Sequence, residues 1–492
     1  MRKFAKLFVV ALVVTLLASF LALYSSAAVT DPHTLKVTSE EVIFIMDAPA
    51  GGELPGDGSG TSPENPLKAI DHESFDPEAE TPKYYLQTAL YQATEMLKET
   101  GGTIVLVGHV NIGPGDIYGN LSYTTCEFTT AYYKTNTIKF TSVWKGVDYR
   151  ETNGAKLEIE YPAMLQMNGN TIFENIDIAT IGTNRLIAFN HYSALMGEGV
   201  NCYPSDEMYT GLAAHYISVA PGHRFTGGNN LQENLVVQSG TYNKICGGIW
   251  GVNNVRKYKV DGDPSSGLEY TCNLDGDSKI NLVIEGTTKV LGAISGTCHQ
   301  GTEFSGIINI TINGGTFECD IYTAGPTGVM NRDCVAMLKI NGGDFTGAWS
   351  MEPVAAGYIN SAPAGRLLDF SGWNGEMASL AAAYKLAKEA TTDFTLVKLP
   401  DGVTEDQLMV AVETTAAPVS TTAPSGDATT APSTNNNNGP LVFGENDETD
   451  AAVNVGDTDS SNMGIIIGIV AGAVIIGAAI IVSVVILSKK KK

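Results

Sequence analysis

The chain has 492 residues and a formal net charge of −23, from 53 acidic against 30 basic side chains. Repulsion on this scale excludes nucleic acid and anionic membrane surfaces as partners and favours cations, neutral glycans or basic proteins. The chain is long for one globular core, whereas repeat architectures grow along an axis without that limit.

Arg2, Lys3 and Lys6 precede an apolar run over residues 7–23, and Ser26-Ala27-Ala28 supplies the small residues of a cleavage site. Residues 1–28 therefore predict a secretory signal peptide; the length of the apolar run leaves an uncleaved anchor as the alternative. An N-terminal segment follows over 29–100. In it Leu86, Leu90, Ala93 and Leu97 recur at helical spacing and the pattern stops at Gly101-Gly102, which predicts a capping helix. Residues 103–108 read as a strand, with His109 filling the rung beside Val110. Further strand candidates occupy 137–143, 156–160, 171–178 and 186–189.

From 201 to 230 the strand pattern lapses, and Tyr203, Tyr209, His215, Tyr216, His223 and Arg224 gather in one irregular stretch. Long irregular loops on a rigid stack are where binding tends to sit, and aromatic rings beside polar groups fit flat sugar faces. Tyr209 and Tyr216, with Trp250 and Tyr258 further on, are the candidate ligand-binding residues. Half-buried packing is the competing role for such side chains.

A period then appears. Residues 282–289, 310–317 and 338–345 fall into one register, with Ile284, Ile312 and Ile340 spaced 28 residues apart. Each unit reads as an alternating strand, a Gly-bearing turn and a Thr-Phe or similar pair. A fourth copy over 235–242 lies 47 residues before the one at 282, one period plus a 19-residue insertion. Alternation puts Leu235, Leu282, Ile310 and Leu338 on one face with Val237, Ile284, Ile312 and Ile340, so stacked units would form two aliphatic ladders. One unit cannot bury its apolar face alone; a stack in register can. Asn313 and Asn341, in line with Glu285, predict a ladder or turn caps between rungs.

The insertion holds Asp261, Asp263, Asp275 and Asp277 on Gly- and Ser-bearing loops. Alternating carboxylates are the oxygen donors that Ca2+ takes. They are equally the residues of ordinary turns, and the closing Glu of an EF-hand loop is missing. Seven cysteines (126, 202, 246, 272, 298, 319, 334) occupy different phases of the 28-residue frame, and no C-x-x-C pair occurs. Buried free thiols are expected, rather than a disulfide ladder or a metal site.

After the repeats, 374–413 reads as a C-terminal cap with a helix over 376–390. Residues 414–463 are rich in Thr and Pro and then acidic, which predicts an extended stalk. Residues 465–487 carry no charge and Lys489–Lys492 follow. This predicts a transmembrane helix over 464–488 with a cytoplasmic tail at 489–492 and everything between leader and span outside.

The opening Asp57-Gly58-Ser59-Gly60-Thr61-Ser62-Pro63, then Asn65-Pro66-Leu67, a helix, and Gly101-Gly102-Thr103-Ile104-Val105-Leu106 resembles the start of right-handed parallel β-helix proteins of the pectin-lyase-like superfamily. The strand-Gly-Gly-Thr-Phe units resemble their rungs. Residues 139–142 with 146–149, and 169–178, are similar to large surface proteins of anaerobic gut bacteria that carry this fold on a Thr/Pro stalk. The resemblance covers about 50–400 and implies an all-β fold, a right-handed parallel β-helix solenoid over 101–373 with short capping helices. It implies less about activity, because one fold hosts unrelated functions. The Asn-Thr-Asp, Asp-Asp, Gly-His-Gly and Arg-Ile-Lys of the hydrolase members do not occur here. Lyase members use a basic residue, for which Arg185, Arg224, Arg256 and Arg332 are the candidates. The expected function is an anchored, non-catalytic contact module for an extracellular glycan or a neighbouring-cell surface. A polysaccharide lyase or glycoside hydrolase acting on acidic polysaccharide, and a structural envelope protein, are the alternatives.

Overall fold

The structure is a computed structural model that describes residues 31–47, 53–68, 84–113, 127–161, 163–222, 228–229, 232–248, 256–259, 267–270, 274–275, 279–297, 306–325, 335–354 and 365–409. The chain divides into two compact units, Met1–Thr422 and Ala423–Lys492, and every described residue belongs to the first. The predicted leader, stalk and membrane span lie outside the described residues. Among those residues no helix is long and apolar enough to cross a membrane.

The first unit is all-β, built on long parallel sheets with few helices. Sheet 1 has 11 strands, running in order from Val42–Ile45 and Gly102–Leu106 through Lys134–Thr141, Gly169–Phe173, Ala194–Met196 and Gln232–Val237. It continues through Lys279–Ile284, Ile307–Ile312, Val335–Ile340 and Gly365–Asp369 to Leu396–Lys398. Sheet 2 holds Glu127–Thr129, Met164–Gln166, Leu186–Ala188, Ser218–Ala220, Thr241–Cys246, Lys289–Ser295, Asp320–Tyr322 and Ser350–Glu352, with Thr316–Phe317 beside Lys289–Ser295. Sheet 3 is a run of four strands: His109–Ile112, Lys156–Glu160, Asp177–Ile181 and Asn201–Pro204. The chain visits the sheets in turn and pairs in parallel with the next coil of itself, so it is a parallel solenoid and not a closed barrel.

The 28-residue frame is the pairing register. Leu282 pairs with Ile310 and Ile310 with Leu338; Ile284 pairs with Ile312 and Ile312 with Ile340. Across the insertion, Leu235 pairs with Leu282 and Val237 with Ile284. All eight are fully buried, and each of the three repeat strands alternates half-buried with buried positions. The Gly-Gly-Thr-Phe turn at 314–317 and its Gly-Gly-Asp-Phe counterpart at 342–345 have their own reason. Gly315 and Gly343 take φ of +111° and +122°, which L-residues rarely adopt, and so swing the next residues inward. Phe317 and Phe345 then stack inside the coil at 4.8 Å. Outside, amides link successive coils: Asn281 Nδ2 donates to Asn234 Oδ1 at 3.0 Å and Asn309 Nδ2 to Asn281 Oδ1 at 3.1 Å. A second row runs from Asn341 to Asn313 at 2.7 Å and from Asn313 to Glu285 at 3.3 Å.

Several boundaries differ from the sequence pattern for local reasons. The pattern at 84–100 splits into a 3-10 turn, Tyr84–Gln87, and a helix, Ala89–Met96, because Thr88 Oγ1 accepts from Tyr91 N and starts a new helix there. Residues 171–178 are two strands of different sheets, separated by Asn175 at φ +49°. Sheet 1 also extends past 101–373 on both sides, since Val42–Ile45 pairs with Gly102–Leu106 and Leu396–Lys398 with Gly365–Asp369. The predicted C-terminal helix runs from Met377 to Lys388 and buries Leu380, Ala381, Ala383 and Tyr384 in the core that the coils share. Cys202 and Cys319 are buried free thiols, and burial pushes the Cys202 thiol up to about 12.

Candidate functional site

The corners of the coils are unequal. From sheet 1 to sheet 2 the later coils turn tightly, through 238–240, 285–288 and 313–315. From sheet 2 back to sheet 1 the connections are longer, 221–231, 247–278, 296–306, 323–334 and 353–364, and much of each lies outside the described residues. Because the strands are parallel and in register, all five connections leave from the C-terminal ends of sheet 2 strands, and their starting points share one edge.

The roots of these loops are rigid. The backbone ladder continues past the strands: Gly222 N donates to Gly248 O, Gly247 N to Ser295 O, Gly296 N to Tyr322 O and Thr297 N to Ala324 O, all within 3.1 Å. Thr323 and Ala324 then donate to Glu352 and Pro353 at 3.0 and 2.9 Å. Glycine is needed where coils approach, since a Cβ on Gly248 would lie 2.2 Å from Thr297 O and one on Gly296 1.9 Å from Thr323 O. Within the insertion, Arg256–Lys259 and Gly267–Tyr270 form an antiparallel hairpin, and Leu274–Asp275 pairs with Gly228–Asn229.

Tyr258 therefore lies on the hairpin and Asp275 on the short strand, both on the loop edge. Trp250, Asp261, Asp263 and Asp277 lie outside the described residues, as do Arg224 and Arg332. Tyr209 and Tyr216 belong to a different corner. Their excursion leaves sheet 3 after Pro204 and enters sheet 2 at Ser218, so it sits at the opposite end of the sheet 2 strands from Tyr258. There Tyr209 stacks on the His215 imidazole at 3.9 Å with planes 4° apart. Tyr216 is buried, and its hydroxyl accepts from Gly211 N at 3.2 Å. Met208 and Leu212 are exposed on the same excursion. Arg185 is buried: its guanidinium donates to Ala163 O at 2.7 Å and to Thr183 O, and lies 4.6 Å over the Tyr161 ring.

Sheet 3 contributes a polar face that its sequence did not announce. Leu157, Ile159, Val110 and Ile112 take the inward phase, so His109, Lys156, Glu158 and Glu160 point outward. His109 thus does not fill the rung, as its position beside Val110 suggested; it stands 43 % exposed. Glu158 is nearly buried on this face. Lys156 Nζ lies 2.5 Å from its Oε2, Ser205 Oγ donates to the same oxygen, and His109 Nε2 lies 3.0 Å from Oε1 without hydrogen-bond alignment. Burial alone would raise this carboxyl, but the contacts with His109, Lys156 and Ser205 win and hold it at about 2. Asp47 goes the other way: burial raises it, although it accepts from Asn111 N at 2.5 Å and faces His109. Beside them, Tyr203 donates to Asp177 Oδ2 at 3.3 Å, and Arg150 pairs with Asp148 at 2.6 Å. Burial and Asp177 push Tyr203 up to about 12.

The lowered Glu158 value has a consequence for stability. Its contribution is complete above the ordinary value of 4.5 and is lost as pH falls toward about 2. Glu158→Gln is expected to lower stability near neutrality and to flatten the acid limb of a melting-temperature profile between about pH 5 and 2. Parallel acid limbs in wild type and variant would show that the carboxylate is not held by these partners.

No family model, curated protein or solved structure matches this chain. Among the described residues no group of three or more His, Cys, Asp or Glu could hold a metal ion.

Proposed function

We propose that the protein is a cell-surface module that contacts extracellular glycan through the loop edge of a right-handed parallel β-helix of the pectin-lyase-like kind. The carrying observation is that the five long connections from sheet 2 back to sheet 1 all start at one edge, on roots fixed by continued backbone pairing. A stiff scaffold that presents variable loops on one side is the arrangement in which binding residues are held without a cost in ordering. Trp250 and Tyr258 supply the aromatic platform, and Asp261, Asp263, Asp275 and Asp277 supply oxygen donors for Ca2+ bridging to hydroxyls. The leader, the stalk and the uncharged span with its four lysines present this edge outside a membrane.

The test is retention of purified residues 29–409 on a panel of neutral and acidic glycans, with and without a calcium chelator. Retention without turnover, weakened by chelation, supports the reading; no retention on any glycan counts against it.

A second reading, cleavage of polysaccharide, draws on sheet 3. Asp47 and Glu158 both neighbour the half-exposed His109 and have acidities driven in opposite directions, as an acid and a base carboxyl would. New reducing ends would support hydrolysis, and unsaturated-uronate absorbance would support elimination. Neither product in long incubations would remove this reading.

A further inference from the structure

Ahead of the first strand, residues 31–41 run across the outer face of sheet 1. The 3-10 turn Pro32–Thr34 packs on Ala194–Met196 and Gln232–Val237, strands far along the stack, and Pro32 is buried there. Leu35, Val37 and Ser39 are then half buried while Lys36, Thr38 and Glu40 are exposed, the alternation of an extended segment lying on a surface. The far end is tied where Glu41 O accepts from Thr103 N at 2.9 Å and Glu41 Oε2 from Thr100 Oγ1 at 2.7 Å. Beneath lies an outward-facing position that is not polar: Val236, paired with Leu195, is fully buried although it points away from the core.

At its beginning the segment is held by one imidazole. His33 Nδ1 lies 2.8 Å from Asp31 Oδ1, and His33 Nε2 lies 2.8 Å from Glu285 Oε1, a contact between residues 252 apart in sequence. Glu285 also accepts from Gln238 at 2.9 Å and from Asn313 at 3.3 Å, so the clip joins the end of the outer amide row. Beside it opens a cleft of about 440 Å³ lined by Glu198, Gly199, Gln238, Ser239, Glu285 and Thr287.

We propose that residues 31–41 form a detachable strap, clipped by His33 between Asp31 and Glu285, whose release uncovers the apolar outer strip of sheet 1 around Val236 and Leu195. The charged groups shown to act on His33 are both acids, Asp31 on the strap and Glu285 at the turn, and the cleft beside Glu285 is lined by a further acid, Glu198. The one titratable group on the two strands beneath, Glu233, points inward to His191 at 2.5 Å. Burial opposes protonation of His33, but Glu285 and then Asp31 outweigh it and raise the imidazole above 6.5. Burial likewise opposes ionisation of Asp31 and Glu285, yet both are lowered by their hydrogen bonds, including those with His33. The imidazole's contribution is thus complete below 6.5 and lost as pH rises through its raised value. That of the two carboxylates is present above their ordinary range and lost as pH falls. The clip is tightest in mildly acidic solution and opens on the alkaline side.

Hydrogen exchange read by mass spectrometry on the full chain tests this. After correction for intrinsic rates, the hydrogen-bonded amides of Thr34 and Leu35 in the wild type should exchange about tenfold faster or more near pH 8.5 than near pH 6, the factor that a charge-assisted hydrogen bond supplies. His33→Ala and Glu285→Gln should exchange fast at both pH values, with Lys279–Ile284 protected throughout as the internal control for folding. If His33→Ala also exposes that strand, the isosteric Glu285→Gln decides. Strap protection that is the same in wild type and Glu285→Gln, or that does not change with pH, would overturn the proposal.

Discussion

Ile312→Asp is expected to unfold the stack or lower its melting temperature drastically, while Thr311→Asp in the same strand changes it little. Ile312 is fully buried, and pairs with Ile284 on one side and Ile340 on the other, so the new carboxylate would have neither water nor a partner. Burying an unpaired charge costs several kcal/mol, comparable with the whole stability of a domain. Thr311 points outward between Val283 and Lys339, and an aspartate there meets solvent and a cation. Ile312→Ala isolates the packing part and should cost about 2–5 kcal/mol, since the neighbouring coils hold the cavity open. Denaturant unfolding of the three variants checks the order from worst to mildest: Ile312→Asp, then Ile312→Ala, then Thr311→Asp. Equal tolerance of the two aspartate substitutions would mean that the strand phase is wrong.

Gly296→Ala should be the most damaging conservative change on the loop edge. The added methyl would stand 1.9 Å from Thr323 O, 2.6 Å from Ile308 Cγ2 and 2.9 Å from Thr323 C, and two of these three are backbone atoms of the next coil. Overpacking of this kind costs about 1–3 kcal/mol or more, because relief requires the coils to separate. Gly154→Ala is the control. It meets nothing within 4 Å but sits at φ +65°, so it bears only the strain of a left-handed residue, about 1 kcal/mol. Melting temperatures should fall clearly further for Gly296→Ala. A larger loss for Gly154→Ala would show that the close approach at the loop roots is not there.

What the sequence revealed follows from how contacts repeat. The 28-residue rungs were legible because each coil makes the same contact with the next, so Leu282, Ile310 and Leu338 had to be similar residues in one phase. Sheet 3 was not legible. Its strands are four or five residues long, and the corner that separates Gly169–Phe173 from Asp177–Ile181 is marked only by Asn175 in an unbroken-looking strand pattern. His109 read as filling a rung and Glu158 only as part of a strand at 156–160, because alternation does not say which outward residues lie close enough to bury one another. The clip at His33 could not be read at all, since its partner is 252 residues away. Tyr209, Tyr216 and Tyr258 are all aromatic loop residues in sequence; which end of a sheet 2 strand each occupies depends on where those strands fall.

The loop edge can be tested by restoring the regular coil. Replacing residues 249–278 by residues 298–306 of the following coil would remove Trp250, Tyr258 and the four aspartates, while keeping the roots at Gly247-Gly248 and the strand at Lys279–Ile284. Retention on the glycan that the wild type binds best should then vanish, with the melting temperature unchanged or higher. Full retention by this shortened but folded protein would contradict the claim that the loop edge is the contact surface.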